Sequence, residues 1–213
     1  MEKVKKCYIF AGSPEAKCTD IIFDDNRYVI CADGGYSIAK KLGIAPDVII
    51  GDFDTYTKKL PEDCEVIKYP SEKDDTDTML AVKLGLERGY RYFVICGAVG
   101  GRLDHTIANI QTLRYLLKHE AYGELAGDGN HVLLQGPGVR VYSRMRGYYF
   151  SVFSYTEQCS GVNLTGFKYP LKDGVIKNSF PIGISNEVTG KSGIVSLEKG
   201  ILLITYSKDM NQN

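Results

Sequence analysis

The sequence predicts an α/β fold in two parts, a parallel sheet with helices on both faces followed by an all-β sandwich. Two textures along the chain carry that reading. Up to about residue 120, short apolar runs alternate with stretches of helical period. The runs lack polar alternation, as strands buried on both faces do. Beyond about Gly123 the helical period disappears, and short alternating segments follow with turn signals between them. A length of 213 residues suits one large domain or two small ones, and the change of texture divides it into 1–123 and 124–213.

Taken in order, strands are expected at 7–11, 28–32, 48–50, 65–69 and 92–96, all rich in Val, Ile, Phe or Tyr. A short helix is expected at 37–42. Over 76–88, Thr76, Met79, Leu80 and Leu84 fall on one helical face, with Asp74 or Asp75 as cap and Gly89 as stop. Over 104–119, Ile107, Ile110, Leu113 and Leu117 do the same behind an Asp104 cap. Strand and helix in alternation imply a Rossmann-like parallel sheet with right-handed crossovers. In the second part, alternating segments lie at 139–145, 148–154, 161–167, 174–177, 193–197 and 201–206. Turns are marked by Gly136-Pro137-Gly138, Lys172-Asp173-Gly174 and Glu198-Lys199-Gly200, and 192–207 reads as a hairpin about the last of them. The tail from Asp209 reads as frayed.

Composition excludes several classes. Apolar residues are 44% and charged residues 24%, ordinary values for a folded globular chain. Lys and Arg together number 26, as do Asp and Glu, so a polyanion-binding surface and a nucleic-acid partner are not expected. No apolar run approaches the roughly 20 residues that span a bilayer, and the apolar stretch after the charged N-terminus is too short for a signal peptide. A cytoplasmic protein without a membrane partner is expected. Cys7, Cys18, Cys31, Cys64, Cys96 and Cys159 form no C-x-x-C pair, so neither a zinc site nor a redox motif is indicated. His119 and His131 receive no role.

Four clusters stand out: Ala32-Asp33-Gly34-Gly35, Gly51-Asp52-Phe53-Asp54-Thr55, Lys73-Asp74-Asp75-Thr76-Asp77 and Gly100-Gly101-Arg102-Leu103-Asp104-His105. Each follows an expected strand or opens the helix after one, and ligands bind at that edge of an open parallel sheet. The clusters would bring seven carboxylates into one crevice: Asp33, Asp52, Asp54, Asp74, Asp75, Asp77 and Asp104. Like charges so close raise one another's pKa. A divalent cation resolves the conflict, and hard oxygen donors without His or Cys point to Mg²⁺. Asp52 and Asp54 would point to one side of an emerging strand, and Asp74 and Asp77 would share a first helical turn. Lys73 and Arg102 would meet phosphate oxygens. The glycines at 32–35 and 97–101 would allow close backbone approach or a positive φ. Taken singly, each cluster has a structural explanation, Asp75 as a helix cap above all. The spacing at 97–101 does not fit a dinucleotide fingerprint.

In this order and spacing, the motifs resemble those of the thiamine pyrophosphokinase (thiamine diphosphokinase) family: Ala-Asp-Gly-Gly at 32–35, Gly-Asp-Phe-Asp at 51–54, Lys-Asp-x-Thr-Asp at 73–77, Gly-Gly-Arg-x-Asp-His at 100–105, and Ser185-Asn186 in the β part. The resemblance spans essentially the whole chain. It implies transfer of a diphosphoryl group from ATP to the hydroxyl of thiamine, giving thiamine diphosphate and AMP, in a Mg²⁺-dependent homodimer with thiamine near the subunit interface. It implies Mg²⁺ on Asp52, Asp54 and Asp77, and catalytic roles for Asp33, Asp54, Asp77, Arg102 and Asp104. Substrate contacts would come from Gly34, Gly35, Lys73, Asp74, Thr76, Gly100, Gly101, His105, Ser185 and Asn186. Two departures are visible. Thr55 stands where the family has Ser, keeping the hydroxyl, and the chain has no Trp, so any aromatic contact with thiamine comes from Tyr or Phe. Another Mg²⁺-dependent nucleotide phosphohydrolase or nucleotidyltransferase would use the same carboxylates, and a binding module without turnover would need fewer of them.

Overall fold

A computed structural model describes residues 5–12, 16–18, 21–53, 61, 63–70, 72 and 74–209. The chain has an α/β fold with a mixed sheet and a second, antiparallel sheet, and it divides into two compact units, Met1–Gly129 and Asn130–Asn213.

The first unit contains, in chain order, β1 (Lys6–Phe10), β2 (Arg27–Ala32), α1 (Gly35–Lys41), β3 (Val48–Gly51), β4 (Glu65–Lys68), α2 (Asp77–Glu87), β5 (Tyr92–Cys96), α3 (Leu103–Lys118) and β6 (Tyr122–Gly127). The strands run parallel in the order β4-β3-β2-β1-β5-β6. The chain winds outward from β1 to β4, then crosses back to lay β5 on the other side of β1. The reversal makes the β1/β5 boundary the topological switch point, where such sheets open a crevice at their C-terminal edge. The apolar runs are buried as their lack of alternation requires: every residue of β3 is buried, as are Cys7, Tyr8, Ile9 and Phe10 of β1. At the sheet's end β4 is mostly exposed.

Several sequence expectations need correction in detail. Asp74 and Asp75 do not cap α2. Thr76 does, its Oγ accepting from Met79 N–H at 3.1 Å, while Asp75 pairs with Lys83 at 2.6 Å. Gly89 ends the helix as expected, with φ of +85°. Asp104 is not a cap either: α3 begins at Leu103 and Arg102 holds the N-cap position. The buried faces are rotated from those expected. In α2 they carry Thr78, Ala81, Val82, Leu84 and Gly85. In α3 they carry Asn109, Thr112, Leu113 and Leu116, while Ile107 is exposed. The reason is close approach of small residues: a Cβ on Gly85 would lie 2.5 Å from the Phe93 ring. The buried polar groups on α3 are satisfied, Asn109 donating to Ala98 O at 2.9 Å and Thr112 to Ala108 O at 3.1 Å.

The second unit holds β7 (Asn130–Gln135), β8 (Gly138–Ser143), β9 (Tyr148–Ser154), β10 (Gln158–Thr165), β11 (Leu171–Lys177), β12 (Ser192–Leu197) and β13 (Leu202–Lys208). Two antiparallel sets form, β7-β13-β9 and β11-β10-β12-β8. Phe150, Val152, Val162, Leu164, Val195, Leu202 and Ile204 belong to one core cluster drawn from both sets. The hairpin expected at 192–207 does not form. β12 pairs with β10 and β8, whereas β13 pairs with β7 and β9, so the Glu198-Lys199-Gly200 turn carries the chain from one set to the other. Gly200 makes the step possible: its φ is +100° and a Cβ there would lie 2.6 Å from Gln158 O.

Candidate active site

A cavity of about 510 Å³ opens in the first unit at the C-terminal edge of the strands. Backbone contacts at the switch point build it. Ala11 N–H donates to Cys96 O at 2.9 Å, tying the exit of β1 to that of β5. Beyond that bond the two chains run so close that neither tolerates a side chain. A Cβ on Gly12 would lie 2.1 Å from Gly97 O, and one on Gly97 would lie 2.3 Å from Ala11 O.

The structure brings much of the motif set to this cavity. Asp33 and Gly34 line it from the exit of β2, Thr76 and Asp77 from the start of α2, Gly100, Gly101 and Arg102 from the loop after β5, and His105 from the first turn of α3. Gly35 lies behind this lining. In the turn after β2 the left-handed residue is Asp33, with φ of +45°, and its N–H is held by Ile50 O at 2.8 Å. Gly34 is right-handed, with φ of −56°. This corrects the expectation of a positive φ there. The other expected role, close approach, is met at Gly35, where a Cβ would lie 2.0 Å from Phe10 O. Gly100 and Gly101 do carry positive φ, +99° and +62°.

Asp52 follows β3 beside this turn, since a Cβ on Gly51 would lie 3.4 Å from Asp33 Cα. It does not line the cavity, nor do Asp74, Asp75 and Asp104. Asp54 and Lys73 lie outside the described residues. Asp104 instead grips Arg102, accepting from Nε at 3.1 Å and from Nη2 at 2.6 Å, and takes the His105 N–H at 2.9 Å. These bonds to the Arg102 guanidinium hold the Asp104 carboxyl below its ordinary range and raise Arg102.

The donor set fits a hard divalent cation completed by substrate. Among the described residues no group of three or more His, Cys, Asp or Glu side chains is placed to hold a metal ion. Asp33 and Asp77 nevertheless line one cavity with the hydroxyl-bearing Thr76 and Thr78. Mg²⁺ asks for little more from a protein, taking one or two carboxylates and completing its octahedron with water and phosphate oxygens.

Ser185 and Asn186 lie in the second unit. Ser185 is left-handed, with φ of +57°, and its N–H donates to Ser151 Oγ at 3.1 Å. Asn186 is buried. Its Oδ1 accepts from the N–H groups of Tyr169 and Glu187, both at 2.9 Å, and its Nδ2 donates to Tyr169 O at 2.7 Å. The Asn186 amide therefore holds the loop around Tyr169.

Among the cavity residues that escaped the sequence reading are Gly12, Thr78, Asn109 and Asp128. Gly12 carried a usable signal, a lone glycine directly after an apolar strand. Asn109, a polar residue on a helical face that buries Leu113 and Leu116, carried another.

Comparison with known proteins follows the same division. Residues 19–122 match a family model described as thiamin pyrophosphokinase, catalytic domain, and residues 138–202 one described as thiamin pyrophosphokinase, vitamin B1 binding domain. The chain is 33% identical over 214 aligned positions to the thiamine pyrophosphokinase of Bacillus subtilis (strain 168), covering 97% of this chain and 100% of that protein. It is 24% identical to thiamin pyrophosphokinase 1 of Caenorhabditis elegans, over 86% of this chain and 81% of that one. A crystal structure of the B. subtilis enzyme superposes with a TM-score of 0.87 at 30% identity, covering 97% and 100% of the two chains. One from Geobacillus thermodenitrificans superposes with 0.83 at 28% identity, covering 98% and 99%.

Proposed function

The chain belongs to the thiamine pyrophosphokinase family, and from that premise we propose how its own residues carry the reaction. It is a diphosphoryl-transferring kinase that forms thiamine diphosphate at the expense of ATP. The observation that best supports a local mechanism is the convergence of Asp33, Thr76, Asp77, Gly100, Gly101 and Arg102 on one cavity at the switch point.

The thiamine hydroxyl oxygen attacks the β-phosphorus of ATP. A new oxygen–phosphorus bond forms, the bond from the β-phosphorus to the α,β-bridging oxygen breaks, and AMP leaves with that oxygen. The hydroxyl proton passes to a carboxylate of the cavity. Such transfer demands positioning and charge stabilisation rather than covalent work by the protein. Gly100 and Gly101 let backbone approach the phosphates. Arg102, oriented by Asp104, meets a phosphate oxygen with its guanidinium. Asp33, Asp52, Asp54 and Asp77 would hold Mg²⁺, which when bound neutralises phosphate charge in the transition state. Lys73, Asp74, Thr76 and His105 complete the ATP contacts.

The proposed architecture is a Rossmann-like domain over 1–123 for ATP and Mg²⁺, with helices on both sheet faces, and a β-sandwich over 124–213 for thiamine and for assembly into a homodimer. Ser185 is proposed to contact thiamine, with Asn186 shaping the loop. A cytoplasmic location suits the substrates.

Incubation with ATP, Mg²⁺ and thiamine, resolved by chromatography, tests the reading. AMP and thiamine diphosphate should appear in equal amounts. Inorganic phosphate without thiamine diphosphate would establish a phosphohydrolase instead.

A further inference from the structure

Asp128 lines the cavity, and no step above uses it. It lies just past β6 with φ of +48°, followed by Gly129 at +72°, a left-handed Asp-Gly pair suited to a tight reversal. From this turn it makes two hydrogen bonds to a single residue 111 positions away. Its N–H donates to Lys17 O at 2.9 Å, and its Oδ1 accepts from Lys17 N–H at 3.1 Å. Its Oδ2 lies against Gly100, where a Cβ would come within 2.2 Å of it. One residue earlier, a Cβ on Gly127 would lie 2.8 Å from Val99 O. The segment that Asp128 grips is itself cavity wall, because Ala16 lines the space and a Cβ on Gly97 would lie 3.3 Å from the Ala16 Cβ.

We propose that Asp128 is a positioning residue of the nucleotide site, clamping the wall at residues 16–18 against the glycine loop at 97–101 and so setting the width of the cavity. The proposal rests on reading that cavity as the ATP site. A carboxylate accepting a backbone N–H, with a backbone bond returned to the same residue, holds that residue against rotation as well as translation. Removing the carboxylate takes away one of the two bonds to Lys17, so the wall is held less firmly at that point. Asp33, Asp77 and Arg102 stand on other segments and keep their places. Affinity for nucleotide therefore falls while turnover of bound nucleotide is kept.

The test uses the full chain with D128A and D128N, measuring KM and kcat with ATP and thiamine, and AMP binding by calorimetry without turnover. D128A should raise both the KM for ATP and the Kd for AMP roughly tenfold, with kcat within about threefold and the KM for thiamine unchanged. D128N keeps an oxygen to accept from Lys17 N–H and should recover most of the loss. Tryptic cleavage after Lys17 should be faster in D128A than in the wild type. Equal AMP affinity in wild type and D128A overturns the clamp, as does a kcat that collapses in both variants while KM stays put. If D128A does not fold, Lys17→Pro deletes the donor N–H from the other side and must weaken AMP binding by a similar factor; unaltered binding there overturns the clamp too. Wild-type protein that binds no AMP defeats the ATP-site reading itself, a failure distinguishable from wild-type binding with an indifferent D128A.

Discussion

At single residues, adjacent members of one motif turn out to have different physical reasons to be there. In Ala32-Asp33-Gly34-Gly35 the strained backbone is at Asp33, the contact that excludes a side chain is at Gly35, and Gly34 is an ordinary right-handed N-cap. Gly35→Ala should cost about 1–3 kcal/mol by forcing β1 and α1 apart, read as a lower urea midpoint with an unchanged slope. Gly34→Ala should lower that midpoint less, since its φ suits any residue and the exchange brings no backbone strain. Equal losses in the two would refute the distinction. The motif's presence was legible in the sequence, but the division of labour was not, because glycine serves a positive φ and a close approach alike. Asp77 carries a sharper expectation. Asp77 lines the cavity proposed to hold the polyphosphate, so Asp77→Asn should lower kcat about a hundredfold or more with a midpoint near that of the wild type, and near-normal turnover would remove it from the machinery. Asp104 acts through Arg102. Because its folded pKa is lowered, the paired state is favoured above the ordinary carboxylate value and is lost only as pH falls through the lowered one. An NMR pH titration should therefore find the Asp104 carboxyl protonating below the ordinary aspartate value of about 4, and an unshifted carboxyl would remove the pairing.

Among the elements, strand positions were the most legible, because buried parallel strands announce themselves as unbroken apolar runs. β6 was missed for a definite reason. The change of texture was placed at Gly123, inside the strand, and Gly123 and Gly127 have no side chains to mark it. A Cβ on Gly123 would lie 2.6 Å from both Leu113 and Leu116, the residues that α3 lays upon it. The helix faces were misjudged for a related reason: large apolar residues were weighted, whereas α2 packs through Ala81 and Gly85. Its cap was misassigned because three candidate side chains stand in a row and only geometry picks Thr76. Thr76→Ala should therefore destabilise the protein by about 1 kcal/mol. Asp75→Asn, losing only a partly exposed ion pair with Lys83, should stay within about half of that. Urea unfolding of the two variants decides, and the reverse ranking would return the cap to Asp75.

For the molecule as a whole, the change from an α/β part to a β part was legible because helical periodicity stops near Gly123 and only strand periodicity follows. What sequence could not convey is which of the motif carboxylates already have partners within the protein. It offered seven and expected Mg²⁺ on three of them, Asp52, Asp54 and Asp77. In the structure, Asp75 is paired with Lys83 and Asp104 with Arg102, and no triad of ligands forms among the described residues. The proposed cation would take its remaining ligands from water and the polyphosphate. Stability should report this directly, since a ligand raises the melting temperature only as far as it binds the folded state. Millimolar Mg²⁺ alone should move Tm by less than about 1 °C. Mg²⁺ with a nonhydrolysable ATP analogue at about a hundred times its Kd should add about 2.7 kcal/mol, or roughly 5–11 °C for a chain of this size. A chelator should abolish both that shift and the activity, and fresh Mg²⁺ should restore them. A large shift from Mg²⁺ alone would mean that the protein completes the metal site by itself, and the substrate-completed site would have to be abandoned.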